Sequence, residues 1–467
     1  MLVIVSDLHL TDGTTGMCIP AGAFELFRER LEDMVYDASQ RGDGTYRPIE
    51  SFDLLLLGDI LDPLPSTQWI AEEKGEPGYA RPWSKPDDPA FVNKVSQITE
   101  KIISENAESL EILCRIARGE GISLPPATKN HQADLRVSRG PSSHQQIPVQ
   151  VRIHYMIGNH DWYYHLTGSG MDRVRSKIVN AMGLASNSSP FPYVLNETDL
   201  LNDLLRQHSV FARHGDYYDS YNLYKKDRNH ASLSDAVCIE LFTRIGVQIR
   251  SELQGKLPDG FYRDLDEMGS VRPALMTPVW IANLLDRYKV STAQREKIDD
   301  IWHDLVEQFS KLDFLNELNR PFAIDLADTV KVALRFARLT SIDHLDDWAL
   351  AIEKLMGLLG LSGTSKGSYE KYAVQEDEYL AREARFIVYG HTHKSAVTPL
   401  RSTIKNGAPF DQIYLNAGTW LPVHKICDAD SNKKGFIHHK TMGYLGIFKE
   451  DERRSKAYET WNGTLDI

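Results

Sequence analysis

Short runs of apolar and β-branched residues recur along the chain, and stretches with helical spacing separate several of them. Near-continuous apolar runs of this kind are typical of buried strands. They predict strands at Leu2–Val5, Phe52–Leu57, Val149–Ile157, Val210–Ala212, Phe386–Tyr389, Ile413–Leu415 and Tyr444–Phe448. Because helical patterns, beginning with Phe24–Ala38, alternate with these runs, we expect an α/β fold.

Residues 63–148 interrupt this alternation and predict an insertion. The insertion contains one predicted helix, Pro89–Arg118, in which apolar residues from Phe91 to Ile103 recur at helical spacing. The segment Gly119–Pro148 is rich in Ser, Pro, Gln and His and predicts an exposed loop.

Residues 217–385 predict a second insertion, mostly helical, which we call the cap. Ser291 and Gln294 form a capping-box pattern, and apolar residues follow them at helical spacing as far as Leu312. Further cap helices are predicted at Ser234–Leu253, Pro273–Lys289, Asp325–Leu339 and Ser341–Leu359. The other segments, residues 1–62, 149–224 and 385–467, are predicted to form the core that carries the motifs described below.

Charge and cysteine content narrow the classes of function. The net charge of −12 disfavours broad binding to nucleic acid or anionic lipid, and the cap holds 22 Lys and Arg against 28 Asp and Glu. The four cysteines are far apart, so neither a zinc knuckle nor a disulfide framework is indicated. No apolar stretch approaches the roughly 18 residues of a membrane span, and no signal peptide is evident. We therefore expect a cytoplasmic protein.

Five short segments place metal-ligand residue types directly after strand-like runs. They are Asp7-Leu8-His9, Gly58–Asp62, Gly158–Asp161, His214–Asp216 and Gly390–His393. Residues two apart on an extended strand end point to the same side, as Asp7 and His9 do, and His391 and His393. Alone, Asp7-Leu8-His9 is compatible with a surface Asp and a hydrogen-bonded His, and Gly58–Asp62 and Gly158–Asp161 are compatible with ordinary turns. Their number and their shared position after strands indicate a site for two neighbouring divalent metals.

A two-metal site favours hydrolysis of a phosphate ester or anhydride. The phosphoryl oxygens must be neutralised, and water must become a nucleophile at neutral pH. Two metals bridged by a carboxylate and a hydroxide accomplish both. Mixed nitrogen and oxygen ligands suit Mn, Fe, Zn or Co, and we expect Mn first among these.

The order of the five segments resembles the calcineurin-like metallophosphoesterase superfamily, whose fold is a two-sheet β sandwich flanked by helices. The resemblance covers residues 1–62, 149–224 and 385–467 and excludes both insertions. It implies that one metal is held by Asp7, His9, Asp59 and His393. It implies that the second is held by Asp59, Asn159, His214 and His391.

The resemblance also implies a role for His160, which is not a ligand. This imidazole is expected beside the scissile phosphate, where it stabilises charge and protonates the leaving group. We expect Asp161 to hydrogen-bond to His160 and orient it. Two interpretations of Asp62 stay open, a similar orienting role and a loop cap. Arg228 and Arg244 of the cap are candidates for substrate contact, although no pattern selects them.

The expected function is metal-dependent hydrolysis of a phosphoester or phosphoanhydride by a metal-bridging hydroxide. A small phosphorylated or nucleotide-type molecule is the expected substrate, and the cap is expected to set specificity. Two alternatives stay open, a nuclease of the same superfamily and an inactive scaffold with the same fold. The chain departs from two branches of this superfamily. The double-strand-break repair nucleases carry His at the position of Asp62, and the phosphoprotein phosphatases carry Arg at the position of Pro63. The sequence leaves the type of phosphate bond, the native metals and the number of subunits open.

Overall fold

The part of the chain that the structure describes comprises residues 1–136, 146–185, 191, 199–272, 274–318, 369–430 and 433–464, in a computed structural model. The predicted helices Asp325–Leu339 and Ser341–Leu359 lie outside these residues, as do residues 137–145 of the predicted loop.

Each of the seven predicted apolar runs coincides with a strand or overlaps one, and the runs at Val149–Ile157 and Tyr444–Phe448 extend one residue beyond their strands. The strands of the described residues are β1 Leu2–Val5, β2 Ser51–Leu57, β3 Ser123–Leu124, β4 Ile147–Pro148, β5 Gln150–Met156, β6 Val210–Ala212, β7 Val271–Arg272, β8 Phe386–Tyr389, β9 Ala396–Lys405, β10 Ala408–Asn416, β11 Pro422–Asp430, β12 Lys433–Ile447 and β13 Tyr458–Thr464. Apolar runs therefore located the buried strands, and strands with one exposed face were not predicted.

Most of the strands form two mixed sheets. The larger sheet has the order β5-β2-β1-β12-β11-β7, with β13 on β12, and the smaller one has the order β6-β8-β10-β9. Strands β5, β2 and β1 are parallel to one another, and so are β6, β8 and β10. The remaining pairings with β9, β12 and β13 are antiparallel. Strands β3 and β4 pair with each other apart from both sheets.

The two sheets share one apolar interior. Alternate side chains of β1, at Leu2 and Ile4, join a cluster that includes Ala212 and Val388 from the smaller sheet. The intervening side chain of Val3 packs on the opposite face, in the cluster that contains α1. This period of two is the geometric consequence of a strand buried on both faces.

Helices flank both sheets, so the fold is α/β as expected. The helices of the described residues are α1 Ala21–Ala38, α2 Pro89–Glu105, α3 Ala107–Ala117, α4 Ser169–Met182, α5 Asp199–Gln207, α6 Leu233–Val237, α7 Arg244–Leu253, α8 Asp259–Asp266, α9 Thr277–Arg287, α10 Thr292–Ser310, α11 Asp313–Leu318, α12 Glu370–Ala373, α13 Asp377–Leu380 and α14 Glu452–Ser455. Residues of α1 to α4 pack on the outer face of the larger sheet, and residues near α12 and α13 pack on that of the smaller.

The single helix predicted over Pro89–Arg118 is wrong, because two helices occupy this range. Helix α2 ends at Glu105, and α3 begins at Ala107. Asn106 lies between them with φ −103° and ψ 22°, outside the helical region. Its side-chain amide donates to the carbonyl oxygens of Ile102 and Thr11, each at 2.8 Å. An Asn that bonds local backbone in this way competes with helix continuation.

The cap is mostly helical in its described residues, and its buried apolar side chains belong to the same cluster as those of α1 to α4. The expected capping box is present, since the backbone N–H of Ser291 donates to Oε1 of Gln294 at 3.2 Å. The predicted stretch Ser234–Leu253 is helical throughout, with a π-helical turn at Cys238–Thr243 between α6 and α7. The cap also contributes β7, which pairs with β11 of the larger sheet.

Trp420 lies in the core of the molecule. Its ring centroid lies 5.2 Å from that of Phe24 and 5.1 Å from that of Phe27. Its indole N–H donates to the carbonyl oxygen of Gly443 at 2.9 Å. The buried Trp420 therefore supports the packing of α1 on the larger sheet.

Among the described residues, none of the helices combines the length and apolar character that crossing a membrane requires.

Candidate metal centre

The five ligand-rich segments follow the carboxyl ends of five strands, β1, β2, β5, β6 and β8. Sites in sheets with parallel strands form at these ends. The backbone N–H of Asp7 donates to the carbonyl oxygen of Gly58 at 3.1 Å, which joins two segments of the larger sheet. The backbone N–H of His391 donates to Oδ2 of Asp7 at 2.9 Å, which joins the two sheets. The segments therefore meet at one place.

Five of the predicted ligand residues have a left-handed backbone conformation. Their φ angles are 55° at Asp7, 47° at His9, 53° at Asp59, 66° at His391 and 55° at His393. Residues other than Gly rarely adopt this conformation, and each instance costs roughly 1–3 kcal/mol. Such strain clusters at functional sites, because the surrounding structure must impose it.

Two glycines allow the ligand segments to approach one another. Gly58 has φ +84°, and a Cβ atom at this position would lie 2.5 Å from Nδ1 of His214. A Cβ atom at Gly158 would collide with Oδ1 of Asp59. Any side chain at either position would therefore occupy the space of a predicted ligand.

Asp7, His9 and His393 form the first donor cluster. Nε2 of His9 lies 3.0 Å from Nε2 of His393 and 3.9 Å from Oδ1 of Asp7. Nε2 of His393 lies 3.4 Å from the same Asp7 oxygen. All three residues are buried, and one donor atom from each lies within 4.8 Å of the others.

Asp59, Asn159, His214 and His391 form the second donor cluster. Nε2 of His214 lies 3.1 Å from Oδ2 of Asp59 and 3.2 Å from Oδ1 of Asn159. Donor atoms of Asp59, His214 and His391 lie within 4.8 Å of one another. Oδ2 of Asp59 is also 3.8 Å from Nε2 of His9, so this carboxylate faces both clusters.

Inside the centre, lone pairs of histidine nitrogens face other hydrogen-bond acceptors. An arrangement of this kind fits cations bound between these atoms. Nδ1 of His214 lies 2.9 Å from the carbonyl oxygen of Leu57 and therefore donates its proton there. In the neutral ring, the Nε2 lone pair then points at the oxygens of Asp59 and Asn159. Likewise Nδ1 of His9 donates to Asp62, which leaves its Nε2 lone pair towards His393. Either extra protons or divalent cations must separate these acceptors.

Electrostatics also favour positive charge in the centre. Burial lowers the pKa of His9, but the hydrogen bond to Asp62 and the nearby carboxylate of Asp7 outweigh burial and raise this pKa to about 10. Burial also lowers the pKa of His214, but the carboxylates of Asp59 and Asp7 outweigh burial and raise this pKa to about 10. Divalent cations supply the same charge and displace the protons when they bind. These buried Asp and His clusters could therefore hold metal ions.

His160 lies at the edge of the centre and is oriented by Asp62. Nδ1 of His160 lies 2.9 Å from Oδ2 of Asp62, and its backbone N–H donates to Oδ1 of Asp59 at 2.8 Å. Its side chain keeps 23% of its surface exposed, whereas that of His9 keeps 4%. Burial lowers the pKa of His160, but Asp62 and Asp59 raise it further than burial lowers it. His160 therefore stands between the buried donors and solvent.

The hydrogen bond predicted from Asp161 to His160 is wrong. The carboxylate of Asp161 accepts from the backbone N–H groups of Gly158 and Ile60, at 2.6 and 3.1 Å. It also accepts from the hydroxyl of Tyr155 at 2.6 Å. Asp161 thus holds the motif backbone, while Asp62 occupies the position beside His160. Spacing along the chain does not distinguish the two, because Asp62 reaches His160 from a different strand.

Three further residues contact the centre and were not singled out as site residues. Oδ2 of Asp219 lies 3.3 Å from Nε2 of His391, and Oδ1 of Asn222 accepts from Nδ2 of Asn159 at 3.3 Å. Nη2 of Arg272 lies 2.9 Å from Nδ1 of His393. Asp219 follows the fourth segment closely, so proximity to a motif is a signal for it. No local pattern marks Arg272.

The two cap arginines considered from the sequence have carboxylate partners. Arg228 forms a two-point ion pair with Asp216, at 2.7 and 2.8 Å. Arg244 pairs with Glu240 at 2.5 Å and with Glu73 at 2.9 Å. Their guanidinium groups are therefore engaged in structural ion pairs.

The chain matches no protein-family model and no curated protein. The assignment of a function therefore depends on the donor geometry and on the motifs themselves.

Proposed function

We propose that the protein is a metal-dependent phosphoesterase that hydrolyses a phosphoester or phosphoanhydride. The observation that carries this proposal is the position of Asp59, whose carboxylate lies 3.8 Å from a nitrogen of the first cluster and 3.1 Å from one of the second. A carboxylate shared between two donor clusters is the arrangement that a two-metal hydrolytic site requires. The apolar interior shared by the two sheets supports the sandwich fold of the metallophosphoesterase superfamily.

The donor sets favour two divalent cations, most readily Mn, with Fe, Zn or Co as alternatives. In this proposal Asp7, His9, Asp59 and His393 hold one cation. Asp59, Asn159, His214 and His391 hold the other. When bound, such cations supply Lewis acidity and lower the pKa of water.

His160 is the proposed general acid. Burial lowers the pKa of its ring, but Asp62 and Asp59 raise it above the ordinary value, which favours the protonated form that a general acid needs. With Nδ1 engaged by Asp62 at 2.9 Å, Nε2 is the ring atom that can deliver a proton to a leaving oxygen. Partial exposure of the ring allows it to exchange protons with solvent after each turnover.

Hydrolysis of an aryl phosphate and of an aryl phosphodiester, with added Mn, tests the proposal. We expect His160→Ala to lower kcat by about 10²–10⁴-fold, the usual contribution of a general acid. Asp59→Asn should lower kcat at least as much and should also reduce bound Mn in elemental analysis. A kcat within about threefold of wild type contradicts the proposed role of the replaced residue. For His160, so small an effect would be less than a general acid contributes.

Two matched controls accompany these variants. His230→Ala and Asp227→Asn change an ion pair of the cap whose side chains are 61% and 41% exposed. Both are expected to keep wild-type kcat and Mn content. Cyclic nucleotides, nucleotide sugars and oligonucleotides complete the substrate panel. Activity on oligonucleotides alone would replace this proposal with a nuclease, and bound Mn without any turnover would favour an inactive scaffold.

A further inference from the structure

Arg272 is held at the point where the cap meets the metal centre. It is the second residue of β7, and the register pairs Val271 with His424 and Arg272 with Lys425 of β11. Oε2 of Glu267 lies 2.6 Å from Nε2 of the buried His424, which ties the preceding turn to the same strand. The ring of Trp280 stacks on His424 with centroids 4.0 Å apart. The strand pairing and these two side-chain contacts with His424 therefore set the backbone position of Arg272.

The two terminal nitrogens of the Arg272 guanidinium have different partners, one in the preceding turn and one in the metal centre. Nη1 donates to the carbonyl oxygens of Gly269 and Val271, at 2.7 and 2.9 Å. Nη2 faces His393, at 2.9 Å from Nδ1 and 3.2 Å from Nε2. Asp7 and Asp59 are among the charges that act on it. One edge is thus anchored, and the other is directed at the donors.

Arg272 differs from its neighbours because it lacks a carboxylate partner within the part of the chain described. The cap arginines that do pair with a carboxylate include Arg228, Arg244, Arg250, Arg287 and Arg295. When a partly buried arginine has no paired carboxylate, its lost hydration is only partly compensated. A bound anion at the centre would provide that compensation.

We propose that Arg272 binds the phosphoryl group of the substrate and selects terminal phosphates over diesters. This inference rests on the proposed function. The planar guanidinium matches phosphate oxygens in geometry and charge. A terminal phosphate offers three non-bridging oxygens and a second negative charge, whereas a diester offers two oxygens and one charge. One further cation beside the centre therefore stabilises a bound monoester, or the end of an anhydride, more than a diester.

The test compares wild type with Arg272→Ala, Arg272→Lys and the control Arg263→Ala. Arg263 is a cap arginine whose side chain is 78% exposed, so the control removes the same charge at the surface. Calorimetry on the metal-free proteins gives the affinity for Mn, and calorimetry on the Mn-loaded proteins gives the affinity for inorganic phosphate, the probe ligand. Initial rates give kcat/KM for an aryl phosphate and an aryl phosphodiester.

In Arg272→Ala we expect the Kd for phosphate to rise by about 10–100-fold, the range for a lost charged hydrogen bond. Mn affinity should stay near that of wild type. The value of kcat/KM should fall by a similar factor for the monoester and stay within about threefold for the diester. Arg272→Lys should recover part of the loss, because it keeps the charge without the planar fork.

Three results would overturn this inference. Unchanged phosphate affinity in Arg272→Ala would exclude contact with the phosphoryl group. Tighter Mn binding with unchanged phosphate affinity would mean that the guanidinium only occupies a cation position. Equal losses for both substrates would exclude selection of terminal phosphates. If wild type binds Mn and phosphate but hydrolyses neither ester, the proposed function fails while the phosphate titrations still decide the role of Arg272.

Discussion

Asp62 connects two histidines that have different tasks in the proposed reaction. Its Oδ2 atom lies 2.8 Å from Nδ1 of His9, a proposed ligand, and 2.9 Å from Nδ1 of His160, the proposed acid. Its Oδ1 atom accepts from the backbone N–H of Leu64 at 3.1 Å. The two interpretations of Asp62 from the sequence are therefore both realised, one by each carboxylate oxygen.

Asp62→Asn is predicted to shift the pH dependence of catalysis. A general acid acts in its protonated form, so kcat falls as pH rises through the pKa of His160. Asp62 raises that pKa, and replacing the carboxylate by an amide removes this effect. The alkaline limb of the kcat profile should therefore move to lower pH. Rates across the neutral and alkaline range, with Mn content checked at each pH, measure the shift.

Asp227→Asn is the control for this profile, because it neutralises a carboxylate whose side chain is 41% exposed on the cap. It should leave the alkaline limb where wild type has it. An unmoved limb in Asp62→Asn, with full Mn content, would mean that His160 is not the group that limits kcat at high pH.

At the scale of elements, apolar runs predicted strands well where both faces are buried. The burial of β1 and β8 is complete, and their predicted ends agree with the structure. Strand β9 alternates partly buried and exposed residues, and β11 and β12 form a long ribbon with polar positions. Such strands have no continuous apolar signal, because only one of their faces is covered.

The break at Asn106 provides a prediction at this scale. Asn106→Ala removes two hydrogen bonds of 2.8 Å, one of which joins the helix junction to Thr11 in the loop beyond β1. Because Asn106 is buried, the carbonyl oxygens lose partners that water does not replace. The free energy of unfolding should fall by about 1–3 kcal/mol. Urea unfolding of the variant and wild type measures the difference.

Asn93→Ala is the control, because it makes the same substitution within helix α2, which ends just before Asn106. It accounts for the effect of the substitution on helix propensity. It should leave the urea midpoint close to that of wild type. Equal midpoints for wild type and Asn106→Ala would mean that the junction does not depend on this side chain.

At the scale of the molecule, the centre concentrates negative charge in the interior. Asp7, Asp59 and Asp62 are buried within one small region, in a chain whose net charge is −12. Their mutual repulsion opposes folding unless protons or cations compensate it. The proposed metals are therefore expected to contribute to stability as well as to chemistry.

Removal of divalent metal is predicted to lower the stability of the whole protein. A ligand that binds only the folded state adds about 2.7 kcal/mol at a concentration 100 times its Kd. Thermal unfolding after dialysis against a chelator, and again after addition of Mn, measures this effect. Asp59→Asn should lose most of the Mn response, and Asp227→Asn should keep it. Identical midpoints with and without Mn in wild type would contradict a buried metal site.

The residues of the candidate centre could be predicted because each belongs to a local pattern. Asp7, Asp59, Asn159, His214 and His391 each follow a buried strand closely, and buried strands are visible as apolar runs. Their convergence then followed from the rule that strand ends form sites, without any knowledge of the sheet order.

The amino-acid sequence by itself determined the α/β class, the buried strands and the set of candidate metal-ligand residues. The tertiary structure alone decided which carboxylate orients His160 and which cap side chain reaches the centre. Asp62 and His160 follow different strands, and Arg272 and His393 are brought together by the pairing of β7 with β11. Periodicity reports only the environment of neighbouring residues, whereas these contacts depend on how distant segments pack.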